Sequence, residues 1–227
     1  MMHNPFRDLT KFELFLWLSS LLIVGGSYLL APEGDSLSLI ASLVGVTALI
    51  FVAKGYVFGQ VLTVVFAVFY GIISYLFQYY GEMITYLCMT APIAVAAIIS
   101  WMRNPYKGSK EVAVRHLKKR EVLFLFLFAG AVTLLFYFIL KALGTANLFF
   151  STISITTSVL ACTLTVLRSP YYALGYAAND IVLIILWVLA AIKDPSYLPM
   201  VVCFLMFLVN DAYGYYNWRR MRKRQES

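Results

Sequence analysis

Long apolar segments, separated by short polar breaks, follow one another along the whole chain of 227 residues. An α-helix needs about 20 apolar residues to cross the hydrocarbon core of a bilayer, which is ~30 Å thick. Eight segments have this length or come close to it: 12–31, 37–53, 57–77, 83–102, 121–140, 148–167, 171–192 and 197–218. The pattern predicts an all-α integral membrane protein with eight transmembrane helices.

The composition agrees with a membrane location. Apolar residues make up 62% of the chain and charged residues 13%, whereas a soluble domain is roughly half apolar and about a quarter charged. The three cysteines, Cys88, Cys162 and Cys203, lie in separate apolar segments without the spacing of a metal or redox motif. We therefore expect them to be small core residues.

Basic residues are concentrated in alternate breaks between the apolar segments. With the N-terminus in the cytoplasm, 16 of the 18 Lys and Arg residues face the cytoplasm, whereas Glu33, Asp35, Glu82 and Asp194 all lie outside. Because positively charged loops stay on the cytoplasmic side, we predict a multi-pass protein of the cell membrane with both termini cytoplasmic. The net charge of +7 then reflects orientation and contact with anionic membrane lipids, and we expect no nucleic-acid partner.

The chain also contains a weak internal repeat. Trp101 and Trp218 end the fourth and eighth segments and are 117 residues apart, and Tyr70 corresponds to Trp187 at the same offset. Parallel repeats are one plan for secondary transporters, with the substrate site between them near mid-membrane. We predict an extra N-terminal helix (1–36), a first three-helix repeat (37–102), a cytoplasmic loop and linker helix (103–147), a second repeat (148–218) and a basic cytoplasmic tail (219–227).

Polar and aromatic residues form stripes on the helices of both predicted repeats. Residues at helical spacing share one face of a helix. The stripes are Gln60, Thr63, Ala67, Tyr70 and Ser74; Ser151, Ser154, Ser158 and Thr165; Tyr176, Asp180 and Trp187; and Asp211, Tyr215 and Trp218. Small and hydroxyl residues also occur where helices simply pack, but four stripes together favour a polar, aromatic-lined cavity between the repeats.

The dipeptide Asn-Asp occurs twice inside apolar segments, as Asn179–Asp180 and Asn210–Asp211. A charge inside the membrane is costly and usually marks a functional site. Both pairs lie between the midplane and the cytoplasmic end of their segments. We hypothesise that at least one of the two carboxylates faces a cationic ligand; alternatively, each caps a neighbouring helix or accepts hydroxyl bonds from a ribose.

The segments FGQVLTVVFAVFYGIISY, YALGYAANDIVLIILW and FLVNDAYGYYNWRR are similar to segments of the PnuC family of vitamin transporters. The resemblance covers about 37–220, and Asn179, Asn210 and Trp218 stand where the family tends to have Asn, Asn and Trp. It implies a SWEET-like arrangement of three helices, a linker helix and three more helices. The first segment, 12–31, lies outside these shared seven.

The resemblance also implies facilitated diffusion of nicotinamide riboside, a nucleoside-like vitamin, with a cytoplasmic kinase that traps the product. We predict that Trp187 and Tyr70 stack on a flat heterocycle and that Gln60, Asn179 and Asn210 form hydrogen bonds with it. We expect no cofactor, and a homo-oligomer of which a trimer is one form. Many family members have an uncharged residue after each Asn, where this chain has Asp, so thiamine, riboflavin or a deoxynucleoside stays open as the solute.

Other functions fit the residues less well, and we do not expect an enzyme. An intramembrane aspartyl protease also needs two carboxylates, but its GxGD motif is absent from the chain. Both histidines, His3 and His116, lie outside the apolar segments, so we expect no His-based metal site in the membrane. The chain has no GxxxxGK[ST] motif for ATP. Coupling to protons stays open, because buried carboxylates also serve as proton relays.

Overall fold

The computed structural model describes residues 4–31, 36–76, 80–145 and 147–227, so the predictions about His3, Glu33 and Asp35 fall outside it. Eight helices in these ranges are long and apolar enough to cross a membrane, which confirms the prediction of an all-α, eight-helix membrane protein. They are α1 (Lys11–Leu30), α2 (Ser36–Ala53), α3 (Val57–Leu76), α4 (Tyr80–Ile84, Thr85–Thr90 and Ala91–Met102), α5 (Lys119–Ala142), α6 (Leu148–Val166), α7 (Tyr172–Lys193) and α8 (Leu198–Glu226).

Two helices differ from the predicted pattern. The middle section of α4, Thr85–Thr90, is π-helical, and Ala91 N–H bonds to the carbonyl of Tyr86, five residues earlier. Pro92 follows at once; since proline has no N–H to donate, a wider turn is a natural way to enter it. The other difference is in α8, which continues to Glu226, so the predicted tail begins as part of this helix.

The helices pack so that α2, α3, α4, α7 and α8 surround the middle of the bundle. Helix α2 packs against α3 and α8, α7 packs between α6 and α8, and α4 contacts α3 and α6. Helix α1 lies outside, against α2 and α8. Helix α5 packs against α6 and buries only Leu125, Ala129 and Leu140 of its described side chains; many of its other apolar residues are exposed and available to lipid.

Backbone contacts gather most of the basic residues at one end of the bundle. The loop 103–118 crosses this end: Val112 N–H bonds to the carbonyl of Gly55 (3.0 Å) and Arg115 N–H to the carbonyl of Arg168 (3.0 Å). The start of α1 and the last turns of α8 lie at this end too. We call it the basic end, and the end with the connections 143–147 and 194–197 the opposite end.

The turns that follow α2 and α6 have the same geometry. Gly55 N–H bonds to the carbonyl of Val52 (2.9 Å), and Arg168 N–H bonds to the carbonyl of Thr165 (3.0 Å). Gly55 and Arg168 both have left-handed backbone angles, with φ of 68° and 57°. Only glycine adopts this conformation at little cost, so the arginine is held there by the turn around it.

Two tryptophans close these turns from the other side. Trp218 Nε1–H donates to the carbonyl of Val52 at 2.9 Å, and Trp101 Nε1–H donates to the carbonyl of Thr165 at 2.9 Å. The two indole rings lie against each other with centroids 5.4 Å apart. Each tryptophan therefore ends its own segment and binds the turn of the other half of the chain.

Candidate functional site

A small cavity lies in the middle of the bundle, between α2, α3, α4, α7 and α8. Its volume is about 50 Å³, which is room for a few water molecules. Five of the predicted site residues line it: Gln60, Tyr176, Asn179, Asp180 and Asp211. We call it the central cavity. Four of these five residues, all except Asn179, belong to the predicted stripes of three different helices, which are thus brought together at one point.

Asp180 and Asp211 approach each other at this cavity from α7 and α8. Both side chains are buried, with 3% of each residue exposed, and the two carboxyl groups are close enough to interact electrostatically. Oδ2 of Asp180 has no hydrogen-bond partner among the described residues, so part of this acidic pair is available to a ligand.

Asn179 is held by hydroxyl groups of α6. Its Oδ1 lies 3.2 Å from Ser154 Oγ, 2.9 Å from Thr157 Oγ1 and 2.9 Å from Ser158 Oγ. The hydroxyl stripe of α6 therefore contacts the Asn of the first Asn-Asp pair. This contact orients the Asn179 amide beside the central cavity.

Aromatic rings fill the space between the central cavity and the opposite end. Phe66 and Phe207 have centroids 5.4 Å apart, and Tyr70 and Tyr86 have centroids 4.3 Å apart. The ring of Phe204 also packs against Tyr70, with the ring centroids 5.8 Å apart. We call these five residues the aromatic partition.

Trp187 and Tyr70 contact each other rather than an open space. Trp187 Nε1–H donates to Tyr70 Oη at 3.0 Å, and the ring centroids are 6.5 Å apart at an interplanar angle of 79°. Trp187 lines a second cavity of about 30 Å³ near the opposite end. A flat ligand can stack on these rings only after they have moved apart.

Besides Tyr70 and Trp187, three more predicted site residues lie away from the central cavity. Asn210 faces α1: its Nδ2 donates to Ser20 Oγ at 3.1 Å and to the carbonyl of Met206 at 2.8 Å. Tyr215 is half-buried near the basic end, where its oxygen accepts from Arg219 Nη1 at 3.0 Å. Trp218 lies at the basic end with the turn contact described above.

The basic end is closed beneath the central cavity. Val112 of the loop is 1% exposed and belongs to a cluster with Trp101, Trp218 and Met221. The side chain of Gln225 also binds this residue: its Nε2 donates to the carbonyl of Val112 at 3.1 Å. Burial and the neighbouring Arg115 guanidinium lower the pKa of Arg168 in the adjacent turn.

Comparisons with known proteins identify the chain. A model of the family described as "Nicotinamide mononucleotide transporter" matches residues 35–220. The chain belongs to this family. Since its members are transporters, the family agrees with the prediction of a transporter rather than an enzyme, and it covers the region in which the sequence resembles PnuC.

Two relatives in this family are named nicotinamide riboside transporter PnuC. The protein from Neisseria mucosa is 28% identical over 225 residues, which are 96% of this chain and 85% of the relative. The protein from Haemophilus influenzae is 26% identical over 212 residues, which are 92% of this chain and 90% of the relative. A crystal structure of the vitamin B3 transporter PnuC is similar too, with a TM-score of 0.84, 26% identity, and coverage of 96% of this chain and 94% of that one.

Sequence reasoning missed several residues at the two cavities of this family member. Phe204 and Phe207 line the central cavity with Asp211, and their i, i+3, i+7 spacing was a signal that they share its face. Tyr86 and Thr90 line it from α4, and their i, i+4 spacing on the fourth apolar segment was the signal that they share a face. Glu82, which was used only as a charge outside the membrane, lines the second cavity.

Proposed function

We propose that this protein takes up nicotinamide riboside by facilitated diffusion through the central cavity. Family membership and the names of the two relatives support the solute, and the acidic pair Asp180–Asp211 is the observation in this chain that carries the proposal. Nicotinamide riboside has a fixed positive charge on its pyridinium ring. A bound cation offsets both the burial of two carboxylates and their mutual repulsion.

We propose that the central cavity lies between two parallel three-helix repeats in a SWEET-like arrangement, 37–102 and 148–218, with α5 as the linker helix. Several contacts support this. The turns at Gly55 and Arg168 have matching hydrogen bonds, and Trp101 and Trp218 each bind the turn of the other half. The helices on either side of the cavity then correspond in pairs.

The orientation follows from charge. We propose that the basic end faces the cytoplasm of a cell-membrane protein, because loops rich in Lys and Arg remain inside. Both termini are then cytoplasmic, and the second cavity faces outward. A cytoplasmic kinase that phosphorylates nicotinamide riboside would make uptake effectively one-way.

The cavity must enlarge for transport. Ligand pockets have volumes of about 300–1,000 Å³, several-fold more than the 50 Å³ found here. The aromatic partition closes the cavity toward the opposite end, and the loop 103–118 with the end of α8 closes it toward the basic end. The structure thus corresponds to a closed state between an outward-open and an inward-open one.

The oligomeric state is a further part of the proposal. Helix α5 exposes large apolar residues, including Phe124 at 70% and Leu127 at 64%, a surface that lipid or a second copy of the chain covers. We propose a homo-oligomer with a trimer as one form. Light scattering of the detergent-purified protein measures its mass directly.

Proteoliposomes test the transport mechanism. Purified protein in vesicles should equilibrate labelled nicotinamide riboside without a pH or sodium gradient. Accumulation above equilibrium that collapses with a protonophore would show proton coupling instead. Calorimetry with nicotinamide riboside, thiamine, riboflavin and thymidine tests the solute, and binding of thymidine without nicotinamide riboside contradicts the proposed substrate.

A further inference from the structure

The second cavity contains a carboxylate oxygen that has no hydrogen-bond partner among the described residues. Glu82, in the first turns of α4, is 8% exposed, and its Oε2 is buried without a hydrogen-bond partner among the described residues. Thr145 Oγ1 is also buried without a hydrogen-bond partner in the part of the chain that the structure describes. Glu82 and Thr145 line this cavity of about 30 Å³ together with Trp187. Two polar atoms that are removed from water therefore meet at one small space.

A second buried glutamate in the described part of the chain has a very different environment. Glu13, which is 2% exposed, lies near the basic end and binds Lys54 Nζ at 2.8 Å and Tyr213 Oη at 2.8 Å. Buried charges are normally paired in this way, because an isolated one is costly. The position of Glu82 at the start of a helix offers some electrostatic compensation, but no described group donates a hydrogen bond to its Oε2.

A chain of aromatic rings in contact lies between the two cavities. Trp187 lines the second cavity and bonds to Tyr70, Tyr70 lies against Tyr86, and Tyr86 lines the central cavity. Tyr86 belongs to the π-helical section of α4, a type of irregular turn that is frequent at functional sites. A carboxylate thus lies on each side of the aromatic partition, Glu82 on one and the acidic pair on the other.

We propose that Glu82 is the first carboxylate that binds a cationic substrate before the substrate reaches Asp180 and Asp211. This inference rests on the proposed function, since it takes the substrate to be a cation that arrives at the opposite end. The carboxylate replaces water around the positive ring while the ring is still outside the partition. Aromatic faces attract cations, so the rings of Trp187, Tyr70 and Tyr86 stabilise the same charge as it passes between the carboxylates.

Uptake by a charge-neutral variant tests this role. Glu82→Gln keeps the shape of the side chain and removes its charge, and Asp194→Asn removes one charge from an exposed residue at the same end. In proteoliposomes, Glu82→Gln should raise the KM for nicotinamide riboside more than tenfold, as expected when one partner of a buried charge pair is neutralised. Asp194→Asn should leave this KM unchanged within about twofold.

A neutral substrate analogue separates a charge effect from a packing effect. The reduced, dihydropyridine form of nicotinamide riboside has no ring charge, and its inhibition constant against nicotinamide riboside uptake should change less than twofold in Glu82→Gln. An equal loss for both forms, or an unchanged KM for the cation, overturns the inference. If the reduced form does not inhibit, the KM comparison with Asp194→Asn decides alone.

Two further observations keep the outcomes distinct. If Glu82→Gln does not fold, Glu82→Asp keeps the charge and should retain a KM within about threefold of the unmodified protein; a loss equal to that of an uncharged variant such as Glu82→Ser contradicts the role of charge. Failure of the unmodified protein to bind or transport nicotinamide riboside refutes the proposed function itself. Transport by the unmodified protein together with an unaffected Glu82→Gln refutes only the role of Glu82.

Discussion

Trp187 donates a hydrogen bond to Tyr70 across 3.0 Å, and the two residues are separated by 117 positions. Trp101 and Trp218, which have the same separation in the chain, also lie against each other. Residues related by a two-fold axis come together where they approach that axis. The two contacts are therefore the ones expected if the repeats are arranged around an axis along the membrane normal, one near the opposite end and one near the basic end.

The Trp187–Tyr70 hydrogen bond should contribute measurably to stability. Tyr70→Phe keeps the ring but removes the acceptor oxygen, and a hydrogen bond of this kind is worth about 1 kcal/mol. We expect the Tm in detergent to fall by about 2–4 °C. Tyr216→Phe removes the same atom from an exposed tyrosine and should leave the Tm unchanged; equal Tm values for all three proteins would show that the bond contributes nothing.

Replacement of Trp187 by Leu should weaken the binding of nicotinamide riboside several-fold. A cation over an indole ring gains about 0.5–2 kcal/mol, and a leucine fills part of the same volume without this attraction. Calorimetry on the purified variant measures the effect, and size-exclusion chromatography checks that it is folded. Unchanged affinity would mean that Trp187 serves packing alone and that the predicted stacking is wrong.

Asp180→Asn or Asp211→Asn should reverse the preference for charge. Each change keeps the size of the side chain and removes the negative charge that we propose for cation binding. We expect nicotinamide riboside affinity to fall more than tenfold, while affinity for the neutral nucleoside thymidine stays the same or rises. The comparison of the two ligands on each variant provides its own control for misfolding.

Two other outcomes of this experiment would contradict the proposed role of the carboxylates or the proposed solute. If both Asn variants lose affinity for the two ligands equally, the carboxylates hold the helices together or accept bonds from the 3′ and 5′ hydroxyl groups of the sugar, which both ligands have. If the unmodified protein binds thymidine and ignores nicotinamide riboside, the solute assignment is wrong, and the protein is a deoxynucleoside carrier.

The two Asn residues of the repeated dipeptide should differ in their effects. Asn179 lies within hydrogen-bond reach of three hydroxyls of α6, whereas Asn210 bonds to Ser20 of α1. Asn179→Ala leaves buried hydroxyl groups without this partner and should cost about 1–3 kcal/mol of stability. Asn210→Ala should cost about 1 kcal/mol, since it removes one bond to another helix; thermal unfolding of both variants gives the comparison, and a larger loss for Asn210→Ala contradicts it.

Much of the fold could be predicted because the bilayer leaves few choices. Each crossing needs a long apolar helix, so the apolar segments located all eight helices. Polar residues on those helices have to face inward, and this placed Gln60, Asp180 and Asp211 at one cavity.

Asn210 and Asp211 face different parts of the structure, which the apolar pattern of the sequence could not predict. Consecutive helical residues point about 100° apart, so the two side chains of this dipeptide point in different directions. Asp211 faces the cavity, and Asn210 faces α1, which lies outside the resemblance on which its role was predicted. The π-helical turn before Pro92 and the extension of α8 past Trp218 depend on tertiary contacts, and apolar periodicity does not report these.

The extension of α8 suggests what holds the basic end closed. Gln225 Oε1 accepts from Val114 N–H at 2.7 Å, and its Nε2 donates to the carbonyl of Val112 at 3.1 Å. One side chain thus pairs with the loop backbone as a neighbouring strand does. In the same loop, Glu111 forms an ion pair with Arg224, and His116 Nε2 forms a hydrogen bond with Glu226 Oε1.

Gln225→Ala should therefore loosen this loop without unfolding the bundle. Loss of the two hydrogen bonds removes about 1–2 kcal/mol of local stability, and local opening sets the rate at which backbone amides exchange with solvent. In hydrogen-exchange mass spectrometry, peptides that contain 109–117 should exchange about tenfold faster, whereas peptides from α3 should not change. Lys223→Ala, an exposed residue on the same turns, is the control. If exchange in 109–117 is equally slow in both variants, the loop is held by the burial of Val112 and its bonds to the two turns, and the end of α8 has no part in closing the basic end.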